Sequence, residues 1–201
     1  MDSTLHPTVT TAGGLEPPEL LARNIRVGSR LWAASQAFFF ISFFFAFLYL
    51  RALNTNGLWR GWPHHHPDPS MAFGVVILIC VLAGAAVARA SIFLSSEVWR
   101  LCAGAAALLL LAAVGLQAAQ FSSLGFGPTD GAYASVFVGW TGLFTVVLLG
   151  AAYWLATVVA DASRAAADLA VRAAAVDAVS FVLIVLAGVE IAAFILLYIV
   201  K

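Results

Sequence analysis

The chain alternates between long apolar runs and short polar breaks, and five of the runs are long enough to cross a bilayer. The first, Leu31 to Leu50 (LWAASQAFFFISFFFAFLYL), is twenty residues without a charge. At about 1.5 Å per residue a helix of that length covers a hydrocarbon core of roughly 30 Å. Arg23, Arg26 and Arg30 precede it, Arg51 closes it, and Gln36 is its one strong hydrogen-bonding side chain. The second run is Met71 to Ala88, ended by Arg89. The third is Leu101 to Ala119, which leads into Gln120. The fourth, Ala132 to Ala160, is longer than a bilayer needs, so it tilts or emerges from the membrane. The fifth, Ala178 to Val200, is interrupted only by Glu190. Because a backbone in lipid must satisfy its own hydrogen bonds, such runs are helices. The pattern therefore predicts an all-α membrane bundle of five transmembrane helices (about 31–50, 71–88, 101–119, 132–160 and 178–200). Residues 26–201 form the membrane domain and 1–25 a flexible cytoplasmic tail.

The breaks agree with this division. Arg51 to Ser70 holds Asn-Thr-Asn-Gly, two tryptophans suited to the interfacial belt, Trp62-Pro63, and the triplet His64, His65 and His66. Ser122 to Gly131 is a Gly/Pro turn. The polar Met1–Leu20 stretch, with Pro7, Pro17 and Pro18, does not read as a secretory signal. Asp161 to Asp177 is alanine-rich, with Asp168 and Arg172 spaced to pair on an exposed helix. With the N-terminus inside, the inner segments hold seven basic residues (Arg23, Arg26, Arg30, Arg89, Arg100, Arg164, Arg172) and the outer ones three (Arg51, Arg60, Lys201). The excess of basic residues predicts an N-terminus in the cytoplasm and a C-terminus outside.

Composition narrows the function. The chain is 63% hydrophobic and 10% charged, with a mean hydropathy of +0.99, against about a quarter charged for a soluble domain. Zero net charge leaves no basic face for nucleic acid. Cys80 and Cys102 lie in different apolar runs at different depths, so they read as small buried hydrophobes and not as a disulfide. A haem or copper centre in a membrane bundle needs ligands such as histidine on a span, and no span carries one. The His64–His66 triplet could bind a divalent metal weakly, although consecutive imidazoles point apart and a solvated loop is the plainer reading.

Glu190 is the one ionisable residue well inside a span. It is a candidate coupling carboxylate of a small transporter, or else a protonated or hydrogen-bonded inter-helix contact. Gln36, Gln117 and Gln120 are neutral amides suited to bridging helices. Gly84, Gly139 and Gly142 permit close helix approach, and the seven phenylalanines between Phe38 and Phe47 read as lipid-facing or inter-subunit surface.

The ordered motifs resemble subunit III of haem-copper terminal oxidases (cytochrome c oxidase subunit III), in the short five-helix bacterial form. That family reads W-x-x-S-E-x-x-F-F at the start of a helix, an arginine at its end and W-P in the loop. The corresponding residues here are Trp32, Ser35, Gln36, Phe39-Phe40, Arg51 and Trp62-Pro63. Gln117-Ala-Ala-Gln120-Phe121 resembles its Q-x-x-E-aromatic segment, and Gly131-Ala132-Tyr133-Ala134-Ser135-Val136-Phe137 its next helix start. The resemblance covers roughly residues 26 to 200. The family's ionisable positions are replaced: its two carboxylates by Gln36 and Gln120, its histidine pair by Thr141 and Phe144, and the His and Asp of its last helix by Ile184 and Ala187. Glu190 has no family counterpart.

The resemblance implies a redox-centre-free accessory subunit with no catalytic centre and no cofactor of its own. It would pack on catalytic subunit I and on subunit II in a bacterial plasma membrane and contact membrane lipid, with haem and copper held by its partners. The complex would pass electrons from cytochrome c or quinol to oxygen and pump protons, and this chain would support assembly and stable turnover. The resemblance leaves room for the related accessory of nitric oxide reductases. Trp32, Gln36, Arg51, Gln120, Tyr133 and Glu190 are the expected inter-helix or inter-subunit contacts, with no catalytic or metal-binding role.

Overall fold

A computed structural model describes residues 17–54, 59, 68–94, 98–164 and 169–201. Five long helices follow one another: α1 (Pro18–Ala52), α2 (Met71–Ala90), α3 (Val98–Ser123), α4 (Ala132–Arg164) and α5 (Leu169–Phe194). A 3-10 turn, Ser91–Phe93, follows α2, and a π-helical segment, Ile195–Val200, extends α5. All five are long and apolar enough to span a membrane. The all-α bundle expected from the apolar pattern is the fold observed.

The helices outrun the apolar segments because a helix does not stop where the bilayer does. α1 begins at Pro18, thirteen positions before the apolar run at Leu31. Pro18 stands in the first turn, where its missing N–H costs nothing, and Glu19 places a negative charge at the positive end of the helix dipole. Arg23, Arg26 and Arg30 therefore ride on α1. Its far end carries Arg51, and Leu53 N–H closes the last turn on Tyr49 O at 3.0 Å. The histidine triplet, the Trp62-Pro63 pair, His6, Arg60 and Asp168 lie outside the described residues.

α5 is the axis of the bundle. It packs against α1, α2 and α4, while α3 bridges α2 and α4. Half of the most apolar stretch of α5 is buried inside the protein, against 17% for α1. Val179, Val182, Leu183, Leu186 and Leu197 give α5 its buried stripe. The contribution of α1 is narrower: Ala22, Ser29, Ala33, Phe40 and Phe47 face inward, at steps of seven and four that keep one seam on its neighbours. The phenylalanine run is thus divided. Phe38 and Phe45 are 74% and 63% exposed, but Phe40 and Phe47 are buried in the bundle. Phe40 meets Phe144 edge-on at 5.9 Å and Trp140 at 6.2 Å.

Two glycines set the closest approaches. A Cβ on Gly84 would stand 3.0 Å from Leu110 Cδ2, and one on Gly74 would stand 2.7 Å from the Tyr198 ring. α2 can lie this close to α3 and α5 only without side chains at those points.

Candidate functional site

Two polar sites sit at opposite ends of the bundle. At the first, α3 delivers Gln117 and Gln120, one helical turn apart and therefore on one face. Gln117 Nε2 donates to Gln120 Oε1 at 3.1 Å. The Tyr198 hydroxyl lies 2.8 Å from Gln120 Nε2 and 3.0 Å from Gln120 Oε1, so it both accepts and donates. Gln120 Nε2 is also 3.5 Å from the Ser70 carbonyl, at the start of α2. Gln120 is 0% exposed. In hydrocarbon an amide without partners costs a few kcal/mol, and here the cluster supplies them across three helices.

Tyr133 completes this end of the bundle from α4. Its hydroxyl donates to Leu197 O at 2.6 Å. That carbonyl belongs to the π-helical segment, where Lys201 N–H reaches back to Leu196 O at 3.0 Å. The last carbonyls of any helix lack partners within the helix, and Tyr133 takes up one of them. An aromatic shell surrounds the cluster: Trp59 lies edge-on to Phe47 at 5.3 Å and to Tyr133 at 5.8 Å, and Phe137 edge-on to Tyr198 at 5.7 Å. Trp59 is 5% exposed, with its backbone N–H bonded to Asn54 Oδ1 at 2.9 Å, so its ring is folded into the bundle.

The second site is ionic. Arg89 Nη1 lies 2.6 Å from Asp177 Oδ1 and donates to Ser180 Oγ at 3.4 Å. Arg26 Nε stands 4.0 Å from the other oxygen of Asp177. The three charges tie the start of α1, the end of α2 and the first half of α5 together.

The other expected contact residues are scattered. Trp32 meets Trp154 of α4 edge-on at 6.2 Å. Arg51 lies over the Phe47 ring at 6.0 Å and is otherwise exposed. Gln36 is half-buried, without a hydrogen-bond partner among the described residues. Glu190 is 7% exposed and likewise has none. Thr141 donates to Phe137 O at 2.6 Å within its own helix. Of the six residues, the structure joins only Gln120 and Tyr133 to the polar cluster, through Tyr198 and Leu197, while Arg51 lies at the same end over Phe47 of its aromatic shell. Tyr198 and the Arg89–Asp177 pair went unrecognised as contacts in the sequence. The one available signal was a phenol and a carboxylate lying at the margins of an apolar run.

Among the described residues, no three or more His, Cys, Asp or Glu side chains gather into a group that could hold a metal. Cys80 and Cys102 are both free thiols. Chemically, the Tyr198 end is built of amides, phenols and carbonyls. These groups hydrogen-bond one another across the helices, and the Lys201–Asp68 ion pair at 2.7 Å lies at the same end.

A family model described as cytochrome c oxidase subunit III matches residues 11–167. The chain belongs to that family. As a subunit III of haem-copper oxidases it is a multi-pass membrane protein of a multi-subunit complex, in a family generally free of cofactors. No curated protein matches the chain. The matched range covers α1 to α4 and ends just before Leu169, where α5 begins. The helix at the centre of this subunit III, with Asp177, Glu190 and Tyr198, lies beyond the family match.

Proposed function

We propose that this subunit III is a redox-centre-free accessory of a respiratory oxidase, with haem and copper carried by its catalytic partners. It packs on subunit I and on subunit II in a bacterial plasma membrane, with its N-terminus in the cytoplasm and its C-terminus outside. Residues 1–25 lie on the cytoplasmic side, those from Pro18 on as the first turns of α1, and 26–201 form the membrane domain. The complex passes electrons from cytochrome c or quinol to oxygen and pumps protons, and this chain sustains assembly and stable turnover. The observation that carries the reading is the polar cluster at Tyr198: where family members keep a carboxylate, Gln120 is saturated by neutral partners. Such a site holds helices in register through hydrogen bonds between neutral groups. Trp32, Gln36, Arg51, Gln120, Tyr133 and Glu190 then act as packing and hydrogen-bonding contacts, with Gln36 and Arg51 free to meet a partner subunit.

A second reading, a stand-alone transporter coupled through Glu190, draws on one observation: this carboxyl is buried with no hydrogen-bond or ion-pair partner among the described residues. Gentle detergent extraction separates the two. An accessory subunit comes down with a haem-containing partner that shows an oxidase spectrum. A chain that runs alone, colourless and stable, overturns the oxidase reading.

A further inference from the structure

The side of α1 turned away from the bundle carries a repeat of its own. Opposite the inward-facing Ala22, Ser29 and Ala33, the residues Leu20, Asn24, Val27 and Leu31 follow one another at steps of four, three and four. The same rhythm runs on to Leu48, and every position in it is exposed. A step averaging about 3.5 residues is the seam that an α-helix offers to a partner in a left-handed coiled coil.

Within the hydrocarbon such a face explains itself, because lipid covers it. Leu20 lies outside that cover. It stands eleven residues before Leu31, about 16 Å along the helix, and the headgroup layer is only roughly 5–7 Å deep. The ionic site marks the same level. Arg26 and Arg89 meet at Asp177, and Leu20 lies about 9 Å further out along α1 than Arg26. Yet Leu20 is 49% exposed and Leu21 beside it 39%. A single exposed leucine means little, but Leu20 continues the seam in register where water, and not lipid, meets it.

Charge identifies the cover. Arg23 and Arg30 occupy equivalent positions on one flank of the seam, each directly before one of its members. Both are exposed, and neither has a hydrogen-bond or ion-pair partner among the described residues, whereas Arg26 has Asp177. In a coiled coil the flanking residues pair with charges on the facing helix and set the choice of partner. The opposite flank of α1 holds Leu21, Gly28 and Ser35 and no carboxylate. A second copy of this chain therefore brings nothing for the two arginines. A foreign helix bearing Asp or Glu does.

We infer that the outward seam of α1 is the docking face for one long helix of another chain in the assembly. That helix crosses the membrane beside α1 and continues with it past the headgroups. It carries apolar residues at steps of three and four, and carboxylates opposite Arg23 and Arg30. The inference rests on the accessory-subunit reading and adds to it the face and the chemistry of the contact.

The test uses the full chain in its complex, extracted in gentle detergent. A benzophenone amino acid in place of Leu20 is photo-activated, and the cross-linked peptide is identified by mass spectrometry. The expected product joins this chain to a helix of the haem-containing assembly with the same apolar spacing and with Asp or Glu on its flank. In parallel, Arg23→Glu combined with Arg30→Glu is expected to lower the haem recovered with the chain about ten-fold at low salt, as the loss of two exposed ion pairs. The loss shrinks as salt rises. Arg23→Lys with Arg30→Lys keeps the charges and most of the recovery. A cross-link to a second copy of this chain, to a helix without a carboxylate there, or to nothing in an assembled complex overturns the inference and leaves the accessory reading in place. Full haem recovery by the charge-reversed chain does the same. If that chain fails to fold, the cross-link at Leu20 decides alone. A native chain that recovers no haem-containing partner overturns both.

Discussion

The bond between Gln120 and Tyr198 gives the sharpest test of how this bundle is held. Tyr198→Phe deletes one hydroxyl that makes two contacts, at 2.8 and 3.0 Å, with the Gln120 amide. Interhelical hydrogen bonds measured in membranes average about 0.6 kcal/mol each, so the loss should be about 1 kcal/mol. Gln120→Met keeps the volume but also gives up the 3.1 Å bond from Gln117 and the long contact to Ser70 O, which raises the loss to about 2 kcal/mol. The double variant should also lose about 2 kcal/mol and not 3, because the Tyr198 hydroxyl contributes little once its amide is gone. The coupling energy is then about 1 kcal/mol, roughly a five-fold change in the unfolding equilibrium. Reversible unfolding in mixed micelles of rising dodecyl sulfate content, followed by tryptophan fluorescence, measures all four corners of the cycle. Additivity within about 0.3 kcal/mol would show that the two side chains do not act together, and the account of this cluster would fall.

Four further outcomes follow from the same geometry. Gly84→Val forces a methyl-bearing Cβ to within 3.0 Å of Leu110 and should destabilise the protein by about 1–3 kcal/mol in the same assay. Gly104→Ala, with nothing within 4 Å, should stabilise α3 by up to about 1 kcal/mol, and equal effects at the two sites would contradict the packing described. Glu190→Gln should leave assembly and oxygen consumption intact, since an amide fills the same space without needing a charge; loss of turnover in an assembled complex would favour the coupling-carboxylate reading. Gln36→Leu should weaken recovery of the complex without moving the pH profile of oxygen consumption, because a half-buried neutral amide offers contact and no titration; a shifted profile with normal assembly refutes this.

The chain by itself determined that there are five membrane helices, that no span holds a histidine, and that the family's ionisable positions have become neutral. These conclusions were legible because hydrocarbon leaves a spanning backbone no alternative to the helix, and because a missing side-chain type needs no geometry to be recognised. What the apolar pattern could not reveal is which side of each helix faces the protein. In a membrane the outward face is as apolar as the inward one, so Phe38 and Phe40 look alike along the chain although one is 74% exposed and the other 2%. For the same reason α5 gave no sign of being the axis of the bundle.

The partners of the polar residues were equally out of reach. Gln120 finds Tyr198 across 78 positions, Arg89 finds Asp177 across 88, and Gln36, more prominent in sequence than either, finds no partner among the described residues. Side chains this far apart meet only after the helices have packed. That packing is set by small residues at close approaches, such as Gly74 beneath the Tyr198 ring, and by the steric fit of the whole bundle. The bilayer decided that these segments are helices, and the tertiary fold decided which of their few polar groups would face one another.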